Sequence, residues 1–423
     1  MYRKYMLILS AVIMAILLFV ATGCPPAEDP AAEVELTGEQ TIVALLQLTG
    51  PASTLAENAR VAAELATADV NAWLQEEGRE WSLRLLVEDD AGDPPTSLRK
   101  MQSWYGDGVR FFAGPQSSAS CREVLAFANA NEILFVSQWS TAPVLATPDD
   151  WLFRFVIDDT TQGPVIAALT QAAGIKHLIF TWRGYTWGDG LQKAVEDAAL
   201  ELGGIEIFAE KLRYDAALED FTVQAASLDS YVTDLLEAGA ALEEIGIVAL
   251  SFEEIAPYLI AASEYPQLRQ VRWFGSDGSA KAHPVIESPV AAQFAFDTKF
   301  VNLASRPEIG ATNYPRVREH VLEQLDREPD AFAFKTYDII WSLAMAIDEV
   351  GYDPVKVKEI FPRVADEWSK DYGASGHVVL NEAGDRAFAD NDLWMVSEDL
   401  TEWVTVGYRD YETNEFRWEM ELY

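Results

Sequence analysis

Phe111-Phe112-Ala113-Gly114-Pro115-Gln116-Ser117-Ser118 is an apolar strand that stops at Gly-Pro and is followed by two hydroxyls. Gly and Pro end a strand, and Ser at the start of the next helix caps exposed backbone N–H groups. The donors at such a helix N-terminus are a ready seat for an anionic group such as a ligand carboxylate. Taken alone, Ser117 and Ser118 read as ordinary N-caps.

The same strand-to-helix alternation recurs on both sides of this corner. Short apolar strands over 42–48, 83–87, 109–113 and 133–136 alternate with helices over 54–75, 96–105 and 117–130. Leu55, Ala59, Ala62, Ala66, Val70 and Trp73 form one stripe of the first helix. After 151–157 the alternation restarts, with strands over 177–182, 204–209, 246–251 and 271–275 and helices over 162–173, 190–202, 220–237 and 254–264. Crossovers of this kind build parallel sheets covered by helices on both faces. Two further helices over 314–328 and 331–350, then short strands around Val378, Trp394, Trp403 and Trp418, complete the chain. The expected fold class is α/β, with two doubly wound parallel sheets.

A length of 423 residues exceeds what one core usually supports, so two domains are expected. With 49% hydrophobic and 23% charged residues the composition is globular. The net charge of −37, with no cluster of Lys and Arg, excludes nucleic acid as a partner. The acidic surface by itself identifies no ligand.

Residues 1–23 differ from the rest. Arg3 and Lys4 form a positive n-region, 6–20 is an apolar run broken only by Ser10, and Ala21-Thr22-Gly23 precedes Cys24. This is similar to a bacterial lipobox, which implies cleavage before Cys24, lipidation of its thiol and a membrane anchor, although Ala21 stands where Leu is commoner. An uncleaved anchor is the rival, with a run short of the ~20 residues of a full span. Residues 24–40, rich in Pro, Ala and Glu up to Thr37, read as a tether. A lipidated Cys24 leaves Cys121 without a partner, so no disulfide is expected.

In open α/β sheets ligands bind beyond the carboxyl ends of strands. Ser117 and Ser118, Ser140 and Thr141, and Asp277 all lie at such ends. Hydroxyls and helix-start N–H groups suit a carboxylate and a lone Asp suits an ammonium, so the set matches the two charged groups of an amino acid. Singly, Ser140 and Thr141 read as a turn before Pro143, and Asp277 as a turn with Gly278.

The order of these motifs resembles the leucine/isoleucine/valine-binding proteins of the type I periplasmic-binding-protein family, over most of the chain after Thr41. Leu48-Thr49-Gly50-Pro51 and Asp89-Asp90-Ala91-Gly92-Asp93-Pro94 look like the family's first two strand-end loops. Gly114-Pro115-Gln116-Ser117-Ser118 resembles its carboxylate-binding corner, and Ser140-Thr141-Ala142-Pro143, with the main chain near Trp139, the next contact loop. Trp187-Gly188-Asp189-Gly190 is similar to the start of a second-domain helix, and Phe274-Gly275-Ser276-Asp277-Gly278 to the loop that holds the ligand's amino group.

The resemblance implies two lobes joined by three hinge crossovers near 158, 295 and 388, with 41–157 and 296–388 in one lobe and 158–295 and 389–423 in the other. It implies an amino acid or related small polar ligand, held by Gln116, Ser117, Ser118, Trp139, Ser140, Thr141, Trp187, Phe252 and Asp277 and delivered to an ABC permease without any cofactor. Three departures stand out. Gly92 and Gln116 replace a disulfide's two cysteines, Phe252 stands where a pocket tyrosine is common and cannot donate through a hydroxyl, and Asp277 replaces Glu. Tyr185, Trp104 and Trp182 are further aromatic candidates.

An enzyme needs a constellation that does not assemble here. The four histidines show no metal-ligand spacing, Ser117 lacks the elbow of hydrolases, and Asp385, Asp390 and Asp392 lack the Gly and Glu of a calcium loop. A ligand sensor feeding a membrane signalling protein is the alternative, with an amide or ester hydrolase behind it.

Overall fold

The computed structural model describes residues 36–419, and from Leu36 onward the chain forms one compact unit. The expected signal segment, Cys24 and all but the end of the tether lie outside the described residues. The tether was expected to run to residue 40, but strand pairing already begins at Gly38 opposite Trp81.

The first sheet contains β1 (Gly38–Leu46), β2 (Trp81–Asp89), β3 (Phe111–Ala113), β4 (Leu134–Ser137) and β5 (Leu152–Arg154), all parallel, in the order β2-β1-β3-β4-β5. Helices α1 (Ser53–Glu76), α2 (Pro94–Gly106) and α3 (Ser118–Asn131) connect them. Along β1 the residues from Ile42 to Leu46 are all fully buried, as a sheet covered on both faces requires. Ile42, Ala44 and Leu46 pack into one core with α1, while Val43 and Leu45 point to the other, among Met101, Phe112, Cys121 and Val124.

The second sheet is built from α4 (Asp159–Ala172), β6 (His177–Gly184), α5 (Thr186–Leu202), β7 (Glu206–Ile207), β8 (Leu212–Asp215), α6 (Thr222–Glu237), β9 (Ile245–Leu250), α7 (Ile255–Ala262) and β10 (Arg272–Phe274). Its order is β10-β9-β6-β7, with β8 also pairing with β6, and every pair is parallel. The strand expected over 204–209 contracts to two residues, and β8 takes over the same edge. Exposed Ala209, Glu210 and Lys211 interrupt the apolar run between the two.

Next come α8 (His283–Glu287), α9 (Pro289–Asp297), β11 (Asn302–Ser305), α10 (Tyr314–Leu325), α11 (Ala331–Val350) and α12 (Pro354–Tyr372). After them β12 (Asn391–Val396), β13 (Trp403–Arg409) and β14 (Phe416–Trp418) complete an antiparallel sheet, β11-β12-β13-β14. Helices α8, α9 and α12 and strand β11 were not anticipated. The signals for α12 were present: Asp353 caps the N–H groups of Val355 and Lys356, Pro354 begins the helix, and Val357, Phe361, Val364, Ala365 and Trp368 make its buried face. Pro362 inside the helix interrupts that pattern. The strand expected around Val378 is absent. Its N–H instead donates to Ser369 Oγ at 2.8 Å, and its side chain joins the first core.

Helices α10 to α12 pack on the first sheet's core, whereas β12 and β13 pack with the second sheet. The chain therefore passes between two lobes three times. Arg154, at the end of β5, is fully buried and binds both carboxylate oxygens of Asp385 through Nε and Nη2, while its Nη1 donates to the carbonyls of Ser140 and Ala142 at 3.1 and 3.0 Å. Removing one partner of such a pair leaves an uncompensated buried charge, with a cost of about 3–5 kcal/mol. Asp385→Ala is expected to lower the unfolding free energy by that amount, read as a lower urea midpoint at unchanged slope, and Arg154→Met with Asp385→Leu to recover most of the loss. Equal midpoints for wild type and Asp385→Ala would show that the pair holds nothing together.

Candidate ligand-binding site

Gly114 turns the chain at the end of β3 with φ +95°, and a Cβ there would stand 2.3 Å from the carbonyl oxygen of Leu45. Only glycine fits, and the turn delivers Ser117 to the N-cap of α3, where its Oγ accepts from the N–H of Ser120 at 3.1 Å. Ser140 Oγ and the N–H of Ala142 both donate to Ser118 Oγ at 3.2 Å. Ser118 and Ser140 are thus spent on tying the corner to the loop that carries Thr141. Thr141 itself is buried, and its hydroxyl, near the Asp159 carboxyl, makes no hydrogen bond of good geometry. Gln138, on the same loop, has neither end of its carboxamide paired.

Gln116 accepts from the N–H of Gln47 at 2.7 Å and leaves its Nε2 unpaired. A Cβ on Gly92 would stand 2.4 Å from the Gln47 carboxamide. Gln47 therefore fills the space between the two positions that departed together from the disulfide pattern, and Cys121 is free and buried.

Asp277 approaches from the second sheet, just beyond β10. Its N–H donates to Gln162 Oε1 at 3.1 Å, Gln162 Nε2 donates to Asp159 Oδ1 at 3.1 Å, and the Asp159 N–H donates to the Thr141 carbonyl at 2.9 Å. Thr141, Asp159, Gln162 and Asp277 form one chain of polar groups from lobe to lobe. Asp277 Oδ1 and Asp159 Oδ2 end in no hydrogen bond of good geometry. Burial raises the Asp277 carboxyl to about 6, against the opposing pull of Gln162 and Lys335. Asp159 is pushed well above the carboxylate range by burial and by the charge of Asp277, although the nearby Thr141 hydroxyl draws it down.

Aromatic rings meet across the same seam. Trp139, after β4, lies 4.9 Å from Phe252, after β9, and 5.6 Å from Phe332 at the start of α11, and Trp187 lies 4.8 Å from Phe252. The Glu253 N–H donates to the Pro51 carbonyl at 3.0 Å, its Oε1 accepts from the N–H of Thr54 at 3.3 Å, and the Tyr185 hydroxyl donates to the Gly92 carbonyl at 3.2 Å. The lobes are closed on one another. Beside Asp277 and Phe332 there remains a crevice of about 30 Å³.

Of the anticipated residues, Trp139, Thr141, Trp187, Phe252 and Asp277 gather at this seam, while Gln116 and Ser117 have their partners within the α3 corner and just beyond β1. Ser118 and Ser140 stand behind it as supports. Trp104 and Trp182 are occupied elsewhere, donating to Glu88 and Asp189. Asp159, Gln138, Glu253 and Lys335 were not anticipated. Lys335 had a readable signal, a lone Lys within Ala331-Phe332-Ala333-Phe334-Lys335. Among the described residues no group of His, Cys, Asp and Glu could hold a metal ion, and no helix is long and apolar enough to cross a membrane.

Comparison with known proteins places this geometry in context. Residues 58–399 match the family described as the receptor family ligand binding region. An uncharacterised protein of Methanocaldococcus jannaschii is 29% identical over 390 residues, covering 88% of this chain and 90% of that protein. A Leu/Ile/Val-binding protein of Rhizobium johnstonii, BraC3, is 27% identical over 222 residues, which is 51% of this chain and 58% of its own length. The solved structure of an ABC transporter substrate-binding protein from Desulfitobacterium hafniense in complex with Leu superposes with a TM-score of 0.64 at 16% identity, covering 87% of this chain and 99% of that one.

Burial in the seam holds the Glu253 carboxyl at about 7, above its ordinary value. A folded-state pKa raised above the unfolded one contributes stability that is complete below the unfolded value and lost as pH rises through the folded one. Glu253→Gln is neutral at every pH. It should therefore melt close to wild type near about pH 5 and above it near about pH 8.5. An offset in Tm that is the same at both pH values would remove Glu253 from the pH dependence.

Proposed function

Because the chain belongs to the family of receptor ligand-binding regions with the type I periplasmic-binding fold, we propose that it is an exported, lipid-anchored solute-binding protein of an ABC importer. It captures an amino acid or related small polar molecule between two closing lobes, and no bond of the ligand is broken. One observation carries this reading. Thr141, Gln138 and Gln116, beside the N-terminus of α3, hold buried groups without partners, and opposite them Asp277 holds an unpaired carboxylate oxygen. Buried polar groups are nearly always satisfied, so an unpaired set of this density marks a place where a ligand completes the bonding.

The ligand carboxylate lies against the end of α3, with Ser117, Thr141 and the side-chain amides as donors. The ammonium lies against Asp277. Each lobe supplies one half of the recognition, so the ligand binds the closed state better than the open one, and that difference drives closure about the three crossovers. Names of relatives support the ligand class and the transporter, and the lipobox-like run before Cys24 supports the anchor.

Isothermal titration against amino acids, their amides and small carboxylates tests the reading, with heat expected from at least one α-amino acid. No heat from any of them sinks the ligand assignment. Asp277→Ala is expected to weaken that ligand by about 2–5 kcal/mol, and unchanged affinity would reduce Asp277 to a turn residue. A Cys24→Ser chain should leave the membrane fraction.

A further inference from the structure

Helix α11 is buried on every side from Ala331 to Ala344. Thr336 donates to the Phe332 carbonyl at 2.8 Å, and Asp338 accepts from the N–H groups of Ala374 and Ser375 at 2.7 and 2.8 Å, whereas Trp341 Nε1, Ser342 Oγ and Lys335 Nζ make no hydrogen bond of good geometry. Lys335 is the ionisable one of the three. It is 1% exposed, and its Nζ has no hydrogen-bond acceptor. A buried ammonium without an acceptor is among the costliest arrangements in a core, and burial lowers Lys335 to about 7.

Its position links it to the seam. Nζ lies 4.9 Å from the centre of the Phe332 ring, which stands 5.6 Å from Trp139. Asp277, from the opposite lobe, is near enough for the two charges to act on each other, yet each ends in an unpaired atom. A cation on one lobe and a carboxylate on the other thus act on each other across the seam without a hydrogen bond between them.

We propose that Lys335 is a specificity residue that pairs with a second anionic group, so that the site takes an amino acid with a carboxylate side chain. The inference rests on the reading of the site as one for an α-amino acid and names its class. The donors at the α3 corner take the α-carboxylate and Asp277 takes the ammonium, which leaves the Lys335 ammonium, acted on by the charges of Arg386 and Asp330, without a hydrogen-bond acceptor. A ligand with a neutral side chain would leave Lys335 without an anion, whereas a side-chain carboxylate would pair with its ammonium and favour the charged form.

The test is titration of wild type and Lys335→Met with L-glutamate and L-aspartate, their neutral isosteres L-glutamine and L-asparagine, L-leucine and succinate. In wild type an acid is expected to bind at least about tenfold tighter than its amide. Lys335→Met should abolish that preference while still binding the amides, and Lys335→Arg should keep part of it, with thermal melts showing that both variants are folded. Amides or leucine binding wild type as tightly as the acids would overturn the proposal, as would a preference that survives Lys335→Met. Succinate binding tighter than glutamate would overturn it too, since Asp277 would then have no ammonium to meet. Binding of no α-amino acid at all is the separate failure of the parent reading.

Discussion

Arg154 is the charge around which the hinge region is arranged. A guanidinium with no exposure to water has to find its entire solvation within the protein. It does so from three directions at once: the Asp385 carboxylate, the Ser140 carbonyl and the Ala142 carbonyl. The first lies beside the third crossing of the chain, and the other two lie on the loop that presents Thr141. Arg154 and Asp385 are also joined through their backbones by a parallel bridge. One desolvated cation therefore fixes the relative placement of two crossings and aims the contact loop. Ser118 supports that loop from its other side, through Ser140 and Ala142.

Against this well-paired hinge, the seam and the α3 corner are frustrated. Thr141, Gln138, Gln116, Asp159, Asp277 and Lys335 each end in an unpaired buried atom. Each neutral group of this kind costs about 1–3 kcal/mol, and charged groups cost more. The aromatic contacts of Trp139 with Phe252 and Phe332 offset part of that, at about 0.5–1.5 kcal/mol for each ring pair beyond the area they bury. With the lobes apart water would solvate these groups, and it is closure that strips them of it. Under the proposed reading a ligand supplies the missing partners in the closed state, which is what favours closure.

The α/β class was legible because parallel strands covered on both faces read as short apolar runs, and β1, β4, β6 and β9 are such runs. Strand-end hydroxyls and Asp277 stood out because such folds bind at the carboxyl ends of parallel strands, and the structure links Thr141 to Asp277 through Asp159 and Gln162. The illegible parts share a cause. Pro362 broke the pattern of α12, whose capping residues were nonetheless in place. Splitting of one sheet edge into β7 and β8 is a tertiary outcome without a local signal. Lys335 and Glu253 matter through burial, which a single sequence does not state. Ser118 and Ser140 looked equivalent to Ser117 and Thr141 in the chain, and only the hydrogen bonds show that Ser118 and Ser140 tie the corner to the loop.

Gln47 shows how the same corner is held without a covalent link. A disulfide between positions 92 and 116 would clamp the second loop to the serine corner. Here the Gln47 side chain packs against Gly92, and its N–H donates to Gln116. Gly92 at φ +63° leaves room for that side chain, and any Cβ would collide with it. The substitution also changes the chemistry of the corner. A disulfide would present only sulfur there, whereas Gln116 presents a spare amide donor beside the N-terminus of α3. Under the proposed reading that donor adds to the anion-binding capacity of the corner.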